Sequence, residues 1–339
     1  MTTIRDVARL AEVSTMTVSR VVNARPQVSP ATRERVLAAM VELDYHVDLT
    51  ARQLRSGSSG TVALIVPRLD HVYFGQLGAQ LADAVGKRGR HLVVEQSSAS
   101  REGELAALSL ARLHMYDGAI LSVVGLGNTE VNRIRATLPV VLLGEKPVPR
   151  RFDHVMMSNV AGARLATGHL LDCGARRVMI VGGEFGPVSR GMRFARTTGW
   201  EEAHSARGLA VDPRLVLSSD PIKAQMARTA VSRAVTRDPS IDALFCVTDE
   251  AAIGAMAGLA DAGRRVPEDI QVVGFDNLAI GAHIGPGLTT IDPGNDWIVE
   301  NVVRLLEARM SSPPPTAAEH LVAPARLVER GSTKRAGVR

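Results

Sequence analysis

Thr3-Ile-Arg-Asp-Val-Ala-Arg-Leu-Ala-Glu-Val-Ser-Thr-Met-Thr-Val-Ser-Arg-Val-Val-Asn23 holds two helix patterns with room between them for only a tight turn. Thr3 can cap the first helix, and Asp6 in its first turn answers the helix dipole. Ile4, Val7, Ala8 and Ala11 then make one apolar stripe at helical spacing. Glu12 and Val13 form the turn, and Ser14 is a good N-cap for the second helix. There Val18, Val21 and Val22 form the inner stripe, while Thr15, Met16, Ser19, Arg20 and Asn23 lie opposite. That outer face carries hydroxyls, an Arg and an Asn but no acid, which suits a groove lined with phosphates. Ser29-Pro30 opens a third helix, since Pro fits a first helical turn. Val36, Leu37, Met40 and Leu43 are its expected core face. The pattern is that of a helix-turn-helix; a small three-helix cap with no DNA role would show the same short helices.

Beyond residue 46 the texture changes. Residues 47–60 read as a tether: Thr50-Ala-Arg-Gln-Leu-Arg55 could form one or two helical turns, and Ser56-Gly-Ser-Ser-Gly60 is flexible. From Thr61, short apolar runs alternate with helical patterns. The strand candidates are 62–66, 91–95, 118–122, 140–143, 178–181, 243–247 and 271–275. Helical stretches include 75–88, 102–113, 160–171, 250–262 and 297–310. Such alternation builds parallel sheets with helices on both faces, and so many strands imply two sheets, hence two lobes. Pro313-Pro-Pro315 ends the last helix, and His320-Leu-Val322 is a final extended piece. The expected domains are a head over 1–46, a tether over 47–60, a two-lobed core over 61–332 and a tail over 333–339.

Composition fits a folded globular chain: of 339 residues, 45% are hydrophobic and 22% charged. The net charge of +5 is mild, so the placement of charge on one helix face carries the nucleic-acid reading. Only four of the 40 basic residues are Lys (Lys87, Lys146, Lys223 and Lys334); a GC-rich genome explains this better than phosphate binding. Cys173 and Cys246 read as small buried thiols without metal spacing. The N-terminus has no apolar signal core and no run of 18 apolar residues occurs, so a cytoplasmic chain with no membrane partner is expected. Gly125-Leu-Gly127 and Gly182-Gly-Glu-Phe-Gly186 lack the full dinucleotide fingerprint. No catalytic constellation, metal ligand set or cofactor motif is present, and no enzyme activity is expected.

The chain resembles the LacI/GalR family of bacterial transcriptional regulators. The resemblance rests on Ile4-Arg-Asp-Val-Ala-Arg-Leu-Ala11, Val13-Ser14, Thr17-Val-Ser-Arg-Val-Val-Asn23, Val28-Ser29 and Thr32-Arg33-Glu-Arg-Val36, and runs to Glu329-Arg330-Gly331-Ser332. Glu12 stands where the family usually has Gly, which implies strain in the turn. Val47-Asp48 replaces the usual Pro-Asn. The resemblance implies an α/β fold: an all-α helix-turn-helix head and hinge helix, then a two-lobed core like that of periplasmic binding proteins. It implies a homodimeric repressor on pseudo-palindromic double-stranded operator DNA. Thr15, Met16, Thr17, Ser19, Arg20 and Asn23 would contact DNA, with Thr15, Met16 and Arg20 at base edges. Paired hinge helices would enter the minor groove, with Leu54 as wedge and Arg52 and Arg55 beside it.

Ligands of open parallel sheets bind beyond the carboxyl ends of the strands. Tyr73-Phe74 follow the first strand, and several other strand exits carry hydrogen-bonding side chains. The resemblance places Tyr73, Phe74, Arg190, Arg196, Asp249 and Asp276 in an effector cleft, where Arg196 could grip a carboxylate or paired hydroxyls. Each Asp could instead cap the helix that follows it. A sugar or sugar derivative is the preferred effector class, and two Arg residues leave room for a phosphorylated or carboxylated ligand or a nucleobase. The family usually has Asn and Pro at His71 and Val72, so the first loop departs from it. A transporter's solute-binding protein would need a signal peptide and no helix-turn-helix. A Rossmann-type enzyme on a sugar or nucleotide would need a catalytic set.

Overall fold

Ser14 and Ser29 start helices as the sequence predicts. In the computed structural model, residues 2–22, 27–45, 58–109, 115–134, 138–146, 148–186, 191–218 and 222–334 are described. They fall into two units, Met1–Ser59 and Gly60–Arg339. The first holds α1 (Ile4–Leu10), α2 (Thr15–Val22) and α3 (Pro30–Glu42). The Asp6 carboxylate accepts the Thr3 N–H at 3.0 Å and the Thr3 hydroxyl at 2.7 Å, tying off the start of α1. Ser14 Oγ accepts the Thr17 N–H at 3.1 Å, and Ser29 Oγ that of Thr32 at 3.3 Å. Val7, Ala8, Ala11, Val18, Val21, Val36 and Ala39 form the core. Leu37, expected inside, is instead 47% exposed. Ala39 sits three residues from Val36 on the inward side of α3, and Leu37 falls off that face. Glu12 occupies the α1–α2 turn at φ +51°, a left-handed conformation that costs a residue with a Cβ.

The second unit holds two six-stranded sheets. Lobe 1 contains β1 (Thr61–Val66), β2 (His91–Gln96), β3 (Gly118–Ser122), β4 (Val140–Leu143), β5 (Asp153–Met156) and β11 (His320–Val322), ordered β11-β5-β4-β3-β1-β2 and all parallel. Its helices include α4 (Val72–Gly86), α5 (Arg101–Ala107) and α6 (Asn128–Arg133). Lobe 2 contains β6 (Val178–Val181), β7 (Val216–Leu217), β8 (Ala243–Cys246), β9 (Gln271–Phe275), β10 (Thr289–Asp292) and β12 (Arg326–Val328), with β12 antiparallel to β10. Its helices include α7 (Asn159–Asp172), α8 (Met192–Ser205), α9 (Ala224–Arg237) and α10 (Asp249–Asp261). The central strands are buried on both faces and therefore read as unbroken apolar runs.

Three stretches join the lobes. The chain passes from β5 to α7, returns after β10 through α11 (Asn295–Met310), and passes from β11 to β12. Ile298, Val302, Leu305 and Leu306 of α11 pack with Leu64, Leu77 and Leu81 in the lobe 1 core. Trp200, Phe245 and Phe275 anchor the core of lobe 2. Cys246 is buried there, while Cys173 is half-buried, its thiol donating to the Lys334 carbonyl at 2.9 Å. The start of the expected tail is tied in: Thr333 Oγ1 lies 2.9 Å from His169 Nε2, and the Lys334 N–H donates to Gln271 Oε1 at 2.9 Å.

Candidate functional site

The carboxyl ends of both sheets border one cavity of about 380 Å³. From lobe 1 come Pro67 and Arg68 after β1, Val123 and Val124 after β3, and Gly144, Glu145 and Lys146 after β4. The start of α4 adds His71, Tyr73 and Phe74. From lobe 2 come Met192, Arg193 and Arg196 of α8, Lys223 before α9, Thr248 after β8 and Asp276 after β9. The volume suits a small ligand enclosed between lobes.

Arg196 is the fixed point of the floor, with only 2% of its surface exposed. Its Nε donates to Asn159 Oδ1 at 2.7 Å and one terminal nitrogen donates to the Val247 carbonyl. That nitrogen also lies 3.5 Å from Asp276 Oδ1. The guanidinium stacks 3.5 Å above the Phe275 ring, a cation–π contact that helps hold the planar fork in one orientation. Asp276 sits at φ +123°. Asn295 Nδ2 donates to its carbonyl at 3.2 Å, and its own N–H donates to the Ile291 carbonyl at 2.9 Å. Burial pushes the Asp276 carboxyl upward against the pull of Arg196.

Tyr73 and Phe74 meet edge to face at 5.3 Å, with Tyr73 buried. Asp249 does not line the cavity. Its carboxylate accepts the Leu278 N–H at 2.7 Å and the Thr290 hydroxyl at 2.5 Å. The cap of α10 is supplied by Thr248, whose Oγ1 accepts the Ala251 N–H at 3.1 Å. Asp249 thus braces the loop that follows Asp276. Arg190 lies outside the described residues.

Other residues complete the wall. Burial lifts the Glu145 carboxyl to about 7, against the attraction of Arg196. Its place directly after a strand was the available signal. His71 is lowered to about 4, first by burial and then by Lys223 and Arg196, so it is neutral at physiological pH. Glu104 of α5 is fully buried and holds a wall in place. Its carboxylate accepts the N–H groups of Val124, Gly125 and Leu126 at 2.8, 2.6 and 2.9 Å.

The head presents a second candidate surface. Thr15, Met16 and Arg20 of α2 are exposed, Met16 to 63%, and no acid lies in the first turn. Ser19 is half-buried. The Thr17 hydroxyl is drawn into the cap, 2.9 Å from Ser14 Oγ. Asn23, Arg52, Leu54 and Arg55 lie outside the described residues.

Residues 3–48 match the family model described as bacterial regulatory proteins, lacI family, and residues 167–333 match that of a periplasmic binding protein-like domain. A ribose operon repressor from Halalkalibacterium halodurans is 32% identical over 334 residues, 98% of each chain. The chain belongs to the LacI family of bacterial regulatory proteins. This LacI-family chain is also 30% identical to the transcriptional repressor PurR of Aliivibrio fischeri, covering 91% of this chain and 92% of the relative. Among solved structures, the lac repressor dimer bound to operator and the anti-inducer ONPF matches with a TM-score of 0.73 at 26% identity over 98% of both chains. A CelR–cellobiose complex matches with a TM-score of 0.70 at 29% identity over 98% of this chain and all of the other. The protein is a DNA-binding transcriptional regulator. No helix among the described residues is long and apolar enough to cross a membrane.

Proposed function

We propose that this LacI-family regulator is a cytoplasmic, homodimeric repressor whose operator affinity is set by a small polar effector, a sugar by preference, bound between its lobes. It performs no catalysis. The carrying observation is one chain that joins a capped, acid-free exposed helix to a ligand-sized cavity floored by Arg196 and Asp276. Relatives named for ribose and cellobiose support the sugar class. Thr15, Met16 and Arg20 read base edges, Thr17 and Ser19 support α2 near the phosphates, and Asn23 extends that face. Arg52, Leu54 and Arg55 form the minor-groove hinge. Tyr73, Phe74, Arg190, Arg196 and Asp276 bind the effector, with Asp249 holding the Asp276 loop. The domains are the head over 1–46, the hinge over 47–60, the effector-binding and dimerisation core over 61–332 and the tail over 333–339.

Effector and operator must change each other's affinity by the same factor. Titrating a fluorescent pseudo-palindromic operator with and without a saturating sugar, and the sugar with and without operator, tests this. Equal effector affinity in both states removes the allosteric claim.

A further inference from the structure

Two positive groups on the cavity wall, one from each lobe, close on a single carboxylate of the chain itself. Arg68 holds Asp70 with both prongs of its fork, at 2.8 and 2.7 Å. Lys223, across the cleft, reaches the same carboxylate at 3.1 Å and the Asp70 carbonyl at 3.0 Å. Among the described residues, Glu250 is the other acid near Lys223, at 3.7 Å. Arg68 and Lys223 line the cavity and Asp70 does not. The Asp70 and Arg68 side chains are about half exposed, at 51% and 55%. Exposed ion pairs of this kind are weak and readily exchanged.

The surroundings favour an anion. Lys146 and Arg193 add positive charge to the wall, one from each lobe, although Arg193 also lies 3.7 Å from Glu184. The N-termini of α4, α8 and α9 reach the cavity through His71, Met192 and Lys223, with no side-chain cap and no acid in the first turn of any of them. The positive dipole ends of these helices attract negative charge. The wall's own acids, Glu145 and Asp276, are both driven toward the neutral form by burial.

We propose that the effector is an anionic sugar, carrying a phosphate or a carboxylate, and that Arg68 and Lys223 grip this group from opposite lobes in the place Asp70 now holds. Asp70 is then an internal stand-in, displaced when the ligand arrives. An anion shared by both lobes would also tie their relative position to occupancy. This inference rests on the reading of the cavity as a sugar-effector site.

Calorimetric titration of the full chain with matched ligands tests it: D-ribose against D-ribose 5-phosphate, and D-glucose against D-glucose 6-phosphate and D-gluconate. The two kinds of anion separate the phosphate from the carboxylate. The anionic member should bind at least about ten-fold tighter, and the advantage should shrink as salt rises from about 50 to about 300 mM. Lys223→Met should erase most of that advantage. Asp70→Asn, which removes the competing charge, should strengthen binding of the anionic member alone. Equal or tighter binding of the neutral sugar, or an Asp70→Asn variant that weakens the anionic one, overturns the proposal and leaves the sugar reading standing. If no member of either set binds, the sugar reading falls and the proposal with it. Inorganic phosphate binding as tightly as the sugar phosphates overturns the sugar part.

Discussion

Replacing Glu104 by Gln should loosen the cavity wall without touching a ligand. The carboxylate sits fully buried on α5 and accepts three backbone N–H groups, two on Oε1 and one on Oε2. Gln keeps one acceptor oxygen, which can still serve Val124 and Gly125, but turns an NH2 group toward the Leu126 N–H. A hydrogen bond to a charged group is worth about 1.5–3 kcal/mol and a neutral one about 1. Losing one bond and weakening two, offset in part by no longer burying a charge, costs about 2–4 kcal/mol. At about 2 °C per kcal/mol for a unit this large, the melting temperature of the core should fall by about 4–8 °C. Relaxation around Gly125 is blocked, because a Cβ there would come within 2.5 Å of the Arg101 nitrogen, so the loop is pressed against the start of α5. Thermal unfolding by circular dichroism reads the stability, and amide hydrogen exchange reads the loop. Exchange should quicken at 124–126 more than in the β-strands. A Glu104→Gln protein that melts within about 1 °C of the parent, with unchanged exchange at those amides, would show that the carboxylate does not hold the wall.

The head and the acids of the cavity give further tests. Glu12→Gly should stabilise the head by about 0.5–1 kcal/mol, since Gly accepts the positive φ that Glu12 adopts at a cost; denaturant melts of the full chain followed at Tyr45 read it, and a loss of stability counts against strain in the turn. Arg20→Ala should cost about 1–3 kcal/mol of specific operator binding per half-site while effector affinity stays put; retained specificity in a gel shift means another helix reads the bases. Glu145 should make the core less stable as pH rises. Its carboxyl titrates near 7 when folded and about 4.3 when unfolded, so between these values the folded state keeps a proton the unfolded state has lost. Urea melts of Glu145→Gln from about pH 4.5 to 7.5 should show a flatter profile than the parent, and superimposable profiles refute the assignment.

The strands of the core were legible because burial on both faces makes a run such as Val178-Met-Ile-Val181 apolar at every position. β5 shows no such run, because Asp153 and His154 are buried in it. Arg309 clasps the Asp153 carboxylate from α11, at 2.6 and 3.0 Å, and the His154 ring bonds the Gly144 carbonyl. Such partners are far away in sequence, so no local pattern reveals them. The same holds at the site. Arg196 and Asp276 follow from a resemblance, whereas Asp249 looks alike in sequence but does not line the cavity. Its carboxylate answers Thr290 and Leu278, both contributed by later segments. Glu104 reads as an ordinary surface acid in a helical stretch; only the loop folding over it makes it an anchor. On α3, Leu37 shows the limit of periodicity, since one residue of register moves a leucine from core to surface.

The path of the chain through the two lobes sets an order of events on the ribosome. Residues 4–42 build the head from neighbours in sequence, so it can form as soon as it emerges. Lobe 1 cannot follow suit. Its sheet awaits β11, and one face of its core awaits α11, both made only after nearly all of lobe 2. At about 5–20 residues per second, β5 waits roughly ten to thirty seconds for its neighbour β11. During that interval the apolar face of β1, β3 and β4 has no cover from α11, while the head is already competent to fold. A nascent chain would therefore carry a finished output module on an unfinished sensor, and a chain cut short before α11 would lose closure of both lobes at once.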